Sequence, residues 1–268
     1  MLLFLSISGV LLSIHMLYSN ARKFRSSVYL GLFFLVVSLY GINQYTVLYS
    51  RSLFLIAIVA TNVSFLSYLI GPLLYWYVRS ILTDNSRLKP TDALHLLPML
   101  VYLAAALPYM LTPFSYKLEI AKEILNNVGF LGSFRFTILS DIFSNMTVYL
   151  SRPILALGYT LWSVGLFIRY RVQGKKSHVL SGQIFMMKWV AVLLGFQLLL
   201  ILTHLFSVFV TFTEGSDVFF TLNTVQLLSA LGMIGLLGSP LFFPGILYGL
   251  PRIPDSIFRK NSKENDSL

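Results

Sequence analysis

Arg152 stands inside a long apolar run, immediately before Pro153. A guanidinium in a membrane-length stretch is costly unless it reaches water or meets a partner. Its chemistry is therefore contact with an anionic ligand or carboxylate, or snorkelling to the headgroups along its aliphatic stem. His204 lies in another apolar run and His15 in a third. The two fall at different predicted depths, there is no HExxH pair, and the chain has no cysteine, so no metal centre is expected. Asn43, Gln44, Asn62, Asn223 and Gln226 also interrupt apolar runs. We read Arg152, His204, Asn62 and Gln226 as candidate contacts to a ligand, in a pocket open to the outer side. The competing reading is that each of them only bonds a neighbouring helix, as polar groups in membranes commonly do.

No nucleophile–base pair, phosphate-binding glycine loop or carboxylate pair stands out in the sequence. Acidic residues are nearly absent from the apolar runs. That argues against a proton relay and against an intramembrane metalloenzyme. No catalytic residue and no cofactor is assigned, and a non-enzymatic role is expected.

These residues need a membrane bundle to hold them. Of the 268 residues 56% are hydrophobic and only 11% charged, with mean hydropathy +0.77. A soluble domain carries roughly 25% charged residues, so this chain could not clothe a soluble surface. The runs are continuously apolar rather than alternating, which selects helices over barrel strands. Seven runs reach the required length, at about 2–18, 28–49, 53–78, 93–111, 142–168, 184–212 and 218–243. The expected fold is an all-α integral membrane protein, a seven-helix bundle in one domain over residues 1–250. Residues 251–268 read as a short polar, basic tail, expected to be disordered. The first run lacks a preceding basic residue and is followed by Arg22, Lys23 and Arg25, the reverse of a cleaved signal peptide.

The net charge of +10 sets the direction. With the N-terminus outside and the C-terminus cytoplasmic, fifteen of the twenty Lys and Arg residues fall on cytoplasmic segments. Arg51, Lys117, Lys122 and Arg135 fall outside, and Arg152 within a span. The reverse orientation would violate the positive-inside rule. The longest outer loop, 114–140, places Leu118, Ala121 and Leu125 at helical spacing, predicting a surface amphipathic helix that could lid a pocket. Gly232, Gly235 and Gly238 permit close packing, within the chain or in a homodimer. Asn145-Met-Thr147 matches a glycosylation sequon, but it lies too near the fifth helix to be used as one.

Gly71-Pro72-Leu-Leu-Tyr-Trp-Tyr-Val-Arg79 is followed by Leu88-Lys89 and by His95-Leu-Leu-Pro98. Lys188-Trp189 and Phe243-Pro-Gly-Ile-Leu-Tyr-Gly-Leu-Pro251 come later in the chain. In this order the fragments resemble the N-terminal multi-helix membrane domain of bacterial AraC-type (helix-turn-helix) transcription regulators. The resemblance implies a sensor in the bacterial inner membrane, answering an unknown small-molecule or lipid signal and feeding a cytoplasmic DNA-binding domain. Residues 252–268 are too few and too polar for that domain, so direct nucleic-acid binding by this chain is not expected. Pro72 predicts a kink in the third helix. Tyr75, Trp76 and Tyr77 predict an interfacial belt, with Arg79 among the headgroups. Gly71, Pro72, Arg79, His95 and Pro98 are the candidate kink and coupling residues. A small transporter, and behind it a lipid-modifying enzyme, are the alternatives to a sensor.

Overall fold

The computed structural model describes residues 2–20, 24–59, 62–83, 85–127, 129–174, 181–213 and 223–247. The expected tail at 251–268 and the basic residues Arg22, Lys23, Lys175 and Lys176 lie outside this set. The described residues are predominantly helical and contain no strand. In chain order the helices are α1 (Leu2–Asn20), α2 (Arg25–Leu48), α3 (Leu53–Val59), α4 (Ile70–Leu82), α5 (Leu97–Met110), α6 (Phe114–Asn126), α7 (Phe130–Ser133), α8 (Leu139–Ile142), α9 (Asn145–Gly174), α10 (Ser181–Thr213), α11 (Asn223–Phe242) and α12 (Pro244–Leu247). Seven helical stretches are long and apolar enough to cross a membrane.

Six of the long helices form a closed ring. α1 packs on α2, α2 on α4, α4 on α9, α9 on α10 and α10 on α11, and α11 returns to α1. α5 lies outside the ring, chiefly against the 3-10 segment Ser64–Leu69 that leads into α4. One end of the ring carries α3, α6, α7 and α8 and is here named the capped end. The other carries the connection after α4 and is named the Arg79 end. The main apolar core fills the ring towards the Arg79 end, where Met16, Phe33, Phe34, Leu74, Trp189 and Leu236 are fully buried.

The outer perimeter is apolar. Phe4, Leu11, Ile154, Leu161, Phe206, Leu231 and Leu241 all point away from the bundle and are exposed. A surface of this kind, continuous around a protein, is built for a solvent other than water.

The seam between α1 and α2 is made of small residues. The Ser13 hydroxyl donates to the Gly31 carbonyl across it at 2.6 Å. A Cβ added at Gly41 would collide with Ser6 Oγ and would lie 2.7 Å from Met233 Cε. Glycine there lets three helices meet at once.

Three expectations about elements are revised. The expected third span, 53–78, is divided: residues 53–59 form the separate helix α3, and the membrane-length stretch runs Ser64–Leu82. α3 packs on α6, burying Ile56 and Ala57 against Ile120, Ala121 and Ile124. Pro72 does not kink the middle of a long helix. It occupies the first turn of α4, directly after the 3-10 segment, where a missing N–H costs least. Pro98 repeats the arrangement in α5, after the 3-10 segment Pro90–Leu96.

The amphipathic helix α6 exists, but with its face turned. Lys117, Ile120, Ala121 and Ile124 are buried, while Leu125 is exposed. The buried stripe faces α3. Lys117 is accommodated because its Nζ donates to the Met110 carbonyl at 2.6 Å.

Candidate functional site

A cavity of about 790 Å³ opens within the ring, in the half nearer the capped end. Its walls come from α2, the Ser64–Leu69 segment, α9, α10 and α11, with Leu2 of α1 and Leu131 and Gly132 of α7. α7 is held over this region by Asn145, whose side-chain amide donates to the Gly132 carbonyl at 2.7 Å. Most of the lining surface is apolar. The polar groups are concentrated on α2, α9, α10 and α11, where Asn43, Gln44, Arg152, Gln197, His204 and Gln226 face the space.

Arg152 sits two turns into α9. Its Nη2 donates to the Tyr102 hydroxyl. The guanidinium carbon lies 4.7 Å from the centroid of the Tyr102 ring and 5.2 Å from that of Tyr149. Both distances are within the range of cation–π attraction. No ion pair to Arg152 occurs among the described residues, and its Nε is buried without a hydrogen-bond partner. Beside it, the Tyr68 hydroxyl and Ser151 Oγ share a hydrogen bond at 2.6 Å.

His204 faces Tyr40 across the cavity wall. The Tyr40 hydroxyl lies 3.0 Å from its Nδ1 and 2.8 Å from its Nε2, and the rings meet edge-on. The Gln44 amide donates to the same hydroxyl at 2.5 Å. Gln197 is 2% exposed, and its Oε1 has no partner among the described residues.

Of the four residues read as ligand contacts, Arg152, His204 and Gln226 line this one cavity. Asn62 stands apart, where the chain passes from α3 towards α4, and its amide donates to the Ile58 carbonyl at 2.6 Å. Asn223 begins α11, but its side chain lies outside the described set. His15 is exposed on α1, remote from His204. No cluster of His, Cys, Asp or Glu able to hold a metal ion occurs among the described residues.

A second polar cluster occupies the Arg79 end. Arg79 donates to both carboxylate oxygens of Asp92, each at 2.7 Å. The same carboxylate accepts the Lys89 backbone N–H at 2.7 Å, closing the turn into the 3-10 segment Pro90–Leu96. The Arg79 side chain is only 18% exposed, and its pairing with Asp92 fixes the connection from α4 to α5.

His95 sits beside this pair with Nε2 3.9 Å from Asp92, and its Nδ1 shares a 2.6 Å hydrogen bond with the Tyr159 hydroxyl. Tyr75, Trp76, Tyr159 and Trp162 surround the imidazole with ring centroids 5.4 to 6.2 Å away. Gly71 is required here, because a Cβ would lie 2.7 Å from the Tyr159 ring. Nearby, the Trp189 indole donates to the Tyr77 hydroxyl at 2.6 Å.

Thus Gly71 and His95, separate in sequence, converge on Tyr159 of α9, and Arg79 joins them through Asp92. Sequence reasoning missed Tyr40, Tyr102, Tyr149, Asp92, Tyr159 and Trp162. Asp92 carried a signal, as an acid just before an apolar run. The tyrosines carried none, since single tyrosines are common in membrane helices. Comparison of the chain with family models, with curated proteins and with solved structures finds no match to any of them.

Proposed function

We propose that this chain is a membrane sensor domain. It lies in a bilayer with the N-terminus outside and the C-terminus cytoplasmic, and it converts occupancy of the cavity into a change at the Arg79 end. One observation carries the reading: two elements take part in both places. Ser67 and Ile70 line the cavity, while Gly71, Tyr75, Trp76 and Arg79, further along the stretch Ser64–Leu82, build the cluster at the Arg79 end. On α9, Arg152 and Ala156 line the cavity, and Tyr159 and Trp162 hold His95. Arg152 and Tyr159 are two helical turns apart, about 10 Å at the usual rise per residue.

A ligand that shifts α9 must therefore load the Tyr159–His95 hydrogen bond, and through it the packing beside the Arg79–Asp92 pair. Sensing needs two arrangements that a ligand binds unequally, and a hydrogen-bonded aromatic cluster next to a buried ion pair is a suitable bistable element. The resemblance to the membrane domain of AraC-type regulators supports the same reading, because its quoted fragments supply most of the cluster. Under that resemblance the location is the bacterial inner membrane. The output then passes to the cytoplasmic side. The apolar perimeter supports insertion. The placing of Arg79, Arg87, Lys89, Arg169 and Arg171 supports the orientation.

The chain has no cysteine, so single cysteines report cleanly. Ser207→Cys, on the cavity wall, should react with a membrane-impermeant maleimide added to intact cells. Combining it with Asp92→Asn should change the labelling rate at least twofold. An unchanged rate means that the two sites are not coupled. A small transporter is the second reading, favoured by the 3-10 segment that interrupts helical geometry beside the cavity. Solute uptake by proteoliposomes would support it.

A further inference from the structure

We propose that the cavity binds an amphiphilic monoanion, a single carboxylate or phosphate group held by Arg152 on an apolar body. The inference rests on the cavity being the input site of the sensor.

The described acidic residues are all accounted for elsewhere: Asp92 pairs with Arg79, Asp141 pairs with Arg135 at 2.7 Å, and Glu119 and Glu123 are exposed on α6. The groups around the Arg152 guanidinium are neutral. The Tyr102 hydroxyl takes one N–H, and two aromatic faces flank the cation. These contacts soften the charge without cancelling it, and Nε keeps an unused, buried donor. An arginine held this way presents a planar fork, the geometry that matches a carboxylate or phosphate. Snorkelling would need no such tyrosine shell.

The size and lining of the cavity set the rest of the ligand. The cavity volume falls within the roughly 300–1,000 Å³ of ordinary small-molecule pockets, far more than a bare inorganic anion fills. Away from Arg152 the walls are Val37, Leu48, Leu200, Ile201, Val208 and Met233. Such walls reward an apolar body; the other polar groups facing the space, Asn43, Gln44, Gln197 and Gln226, are uncharged amides, so Arg152 is matched to one anionic group. The His204 ring is already engaged by the Tyr40 hydroxyl.

The test uses the full chain in phosphatidylcholine nanodiscs, with radiolabelled decanoate as the probe. Saturable binding is expected, competed by unlabelled decanoate and by decyl phosphate, and at least tenfold less well by decanol or inorganic phosphate. Arg152→Gln should weaken binding at least tenfold, and Arg152→Lys less, since it keeps the charge but loses the fork. Ala230→Trp, which fills the apolar wall and leaves Arg152 intact, should also abolish binding. Circular dichroism establishes that each variant is folded.

A second arm replaces part of the phosphatidylcholine with phosphatidylglycerol. Arg152-dependent inhibition of decanoate binding there assigns the natural anion to a membrane lipid; no inhibition assigns it to a free amphiphile. Equal binding of decanol, equal binding of inorganic phosphate, or full binding by a folded Arg152→Gln variant overturns the proposal. If decanoate fails but Ser207→Cys labelling still responds to Asp92→Asn, the sensor reading survives without this ligand. If decanoate binds and that response is missing, the ligand class survives without the sensor.

Discussion

Nδ1 of His95 and the hydroxyl of Tyr159 share a hydrogen bond at 2.6 Å, which joins the segment after α4 to the middle of α9. Tyr159 also abuts Gly71, so a single side chain touches both halves of the Gly71–Pro98 region. Tyr159→Phe keeps the ring and removes the hydroxyl. The loss should be about 1 kcal/mol, the usual net worth of a hydrogen bond. For a chain of this size that lowers the melting temperature by about 3 °C, measurable by thermal unfolding in detergent. Gly71→Ala should cost more, because its Cβ meets the ring itself. A variant Gly71→Ala as stable as the parent would show that this contact is not tight.

The Arg79–Asp92 pair makes a sharper prediction, because its geometry is bidentate and its carboxylate is nearly enclosed, with the Asp92 side chain 6% exposed. Asp92→Asn leaves the Arg79 guanidinium without its counter-charge and weakens the Lys89 turn as well. The expected loss is about 2 kcal/mol, below the full penalty of a buried pair because Arg79 keeps some access to water. Arg79→Gln together with Asp92→Asn should cost less than the two single losses added, with a coupling of about 1–2 kcal/mol. Strict additivity in that double-mutant cycle would mean the pair contributes nothing as a pair.

Much of this architecture could be read from the chain, and the reasons are physical. Lipid demands long apolar helices, so all seven membrane-length stretches appear as apolar runs. Arg152 announced itself because a charge among apolar residues has few explanations. Its surroundings did not, because Tyr102 reaches it from α5, fifty positions away. The third span was misread because α3 is as apolar as a membrane helix: it buries its face on α6, and hydropathy alone does not identify the partner. The face of α6 was misjudged for the same reason. Lys117 looks polar in sequence, yet the Met110 carbonyl makes its burial affordable. Asn62 reads as a pocket residue by depth, but its amide is spent on the local backbone.

Two glycines should respond in opposite ways to the same change. Gly41→Ala places a methyl group against Ser6 and Met233, at the meeting of α1, α2 and α11. Forcing that seam apart should cost about 1–3 kcal/mol, as overpacking does elsewhere. Gly238 lies within α11 with nothing within 4 Å of an added Cβ. Gly238→Ala should be neutral or stabilising by up to about 1 kcal/mol, from helix propensity alone. Thermal unfolding of the two variants side by side checks the packing; equal melting temperatures would count against it.

Orientation can be tested with the same cysteine-free background. Electrostatics favours an outer capped end: Arg79, Arg87 and Lys89 lie at the opposite end, as do Arg169 and Arg171 near the end of α9. Moving such a cationic cluster across a bilayer is disfavoured during insertion, whereas the capped end carries Lys117 and Lys122 with Glu119 and Glu123 beside them. Leu125 on α6 and Leu88 before Pro90 are both exposed, so neither substitution disturbs the core. Leu125→Cys should therefore react with an impermeant maleimide on intact cells, and Leu88→Cys only after the membrane is opened. The reverse pattern would invert the bundle and turn the cavity towards the cytoplasm. The sensor reading would then need a cytoplasmic ligand, and the contacts made by Arg152 would stay as they are.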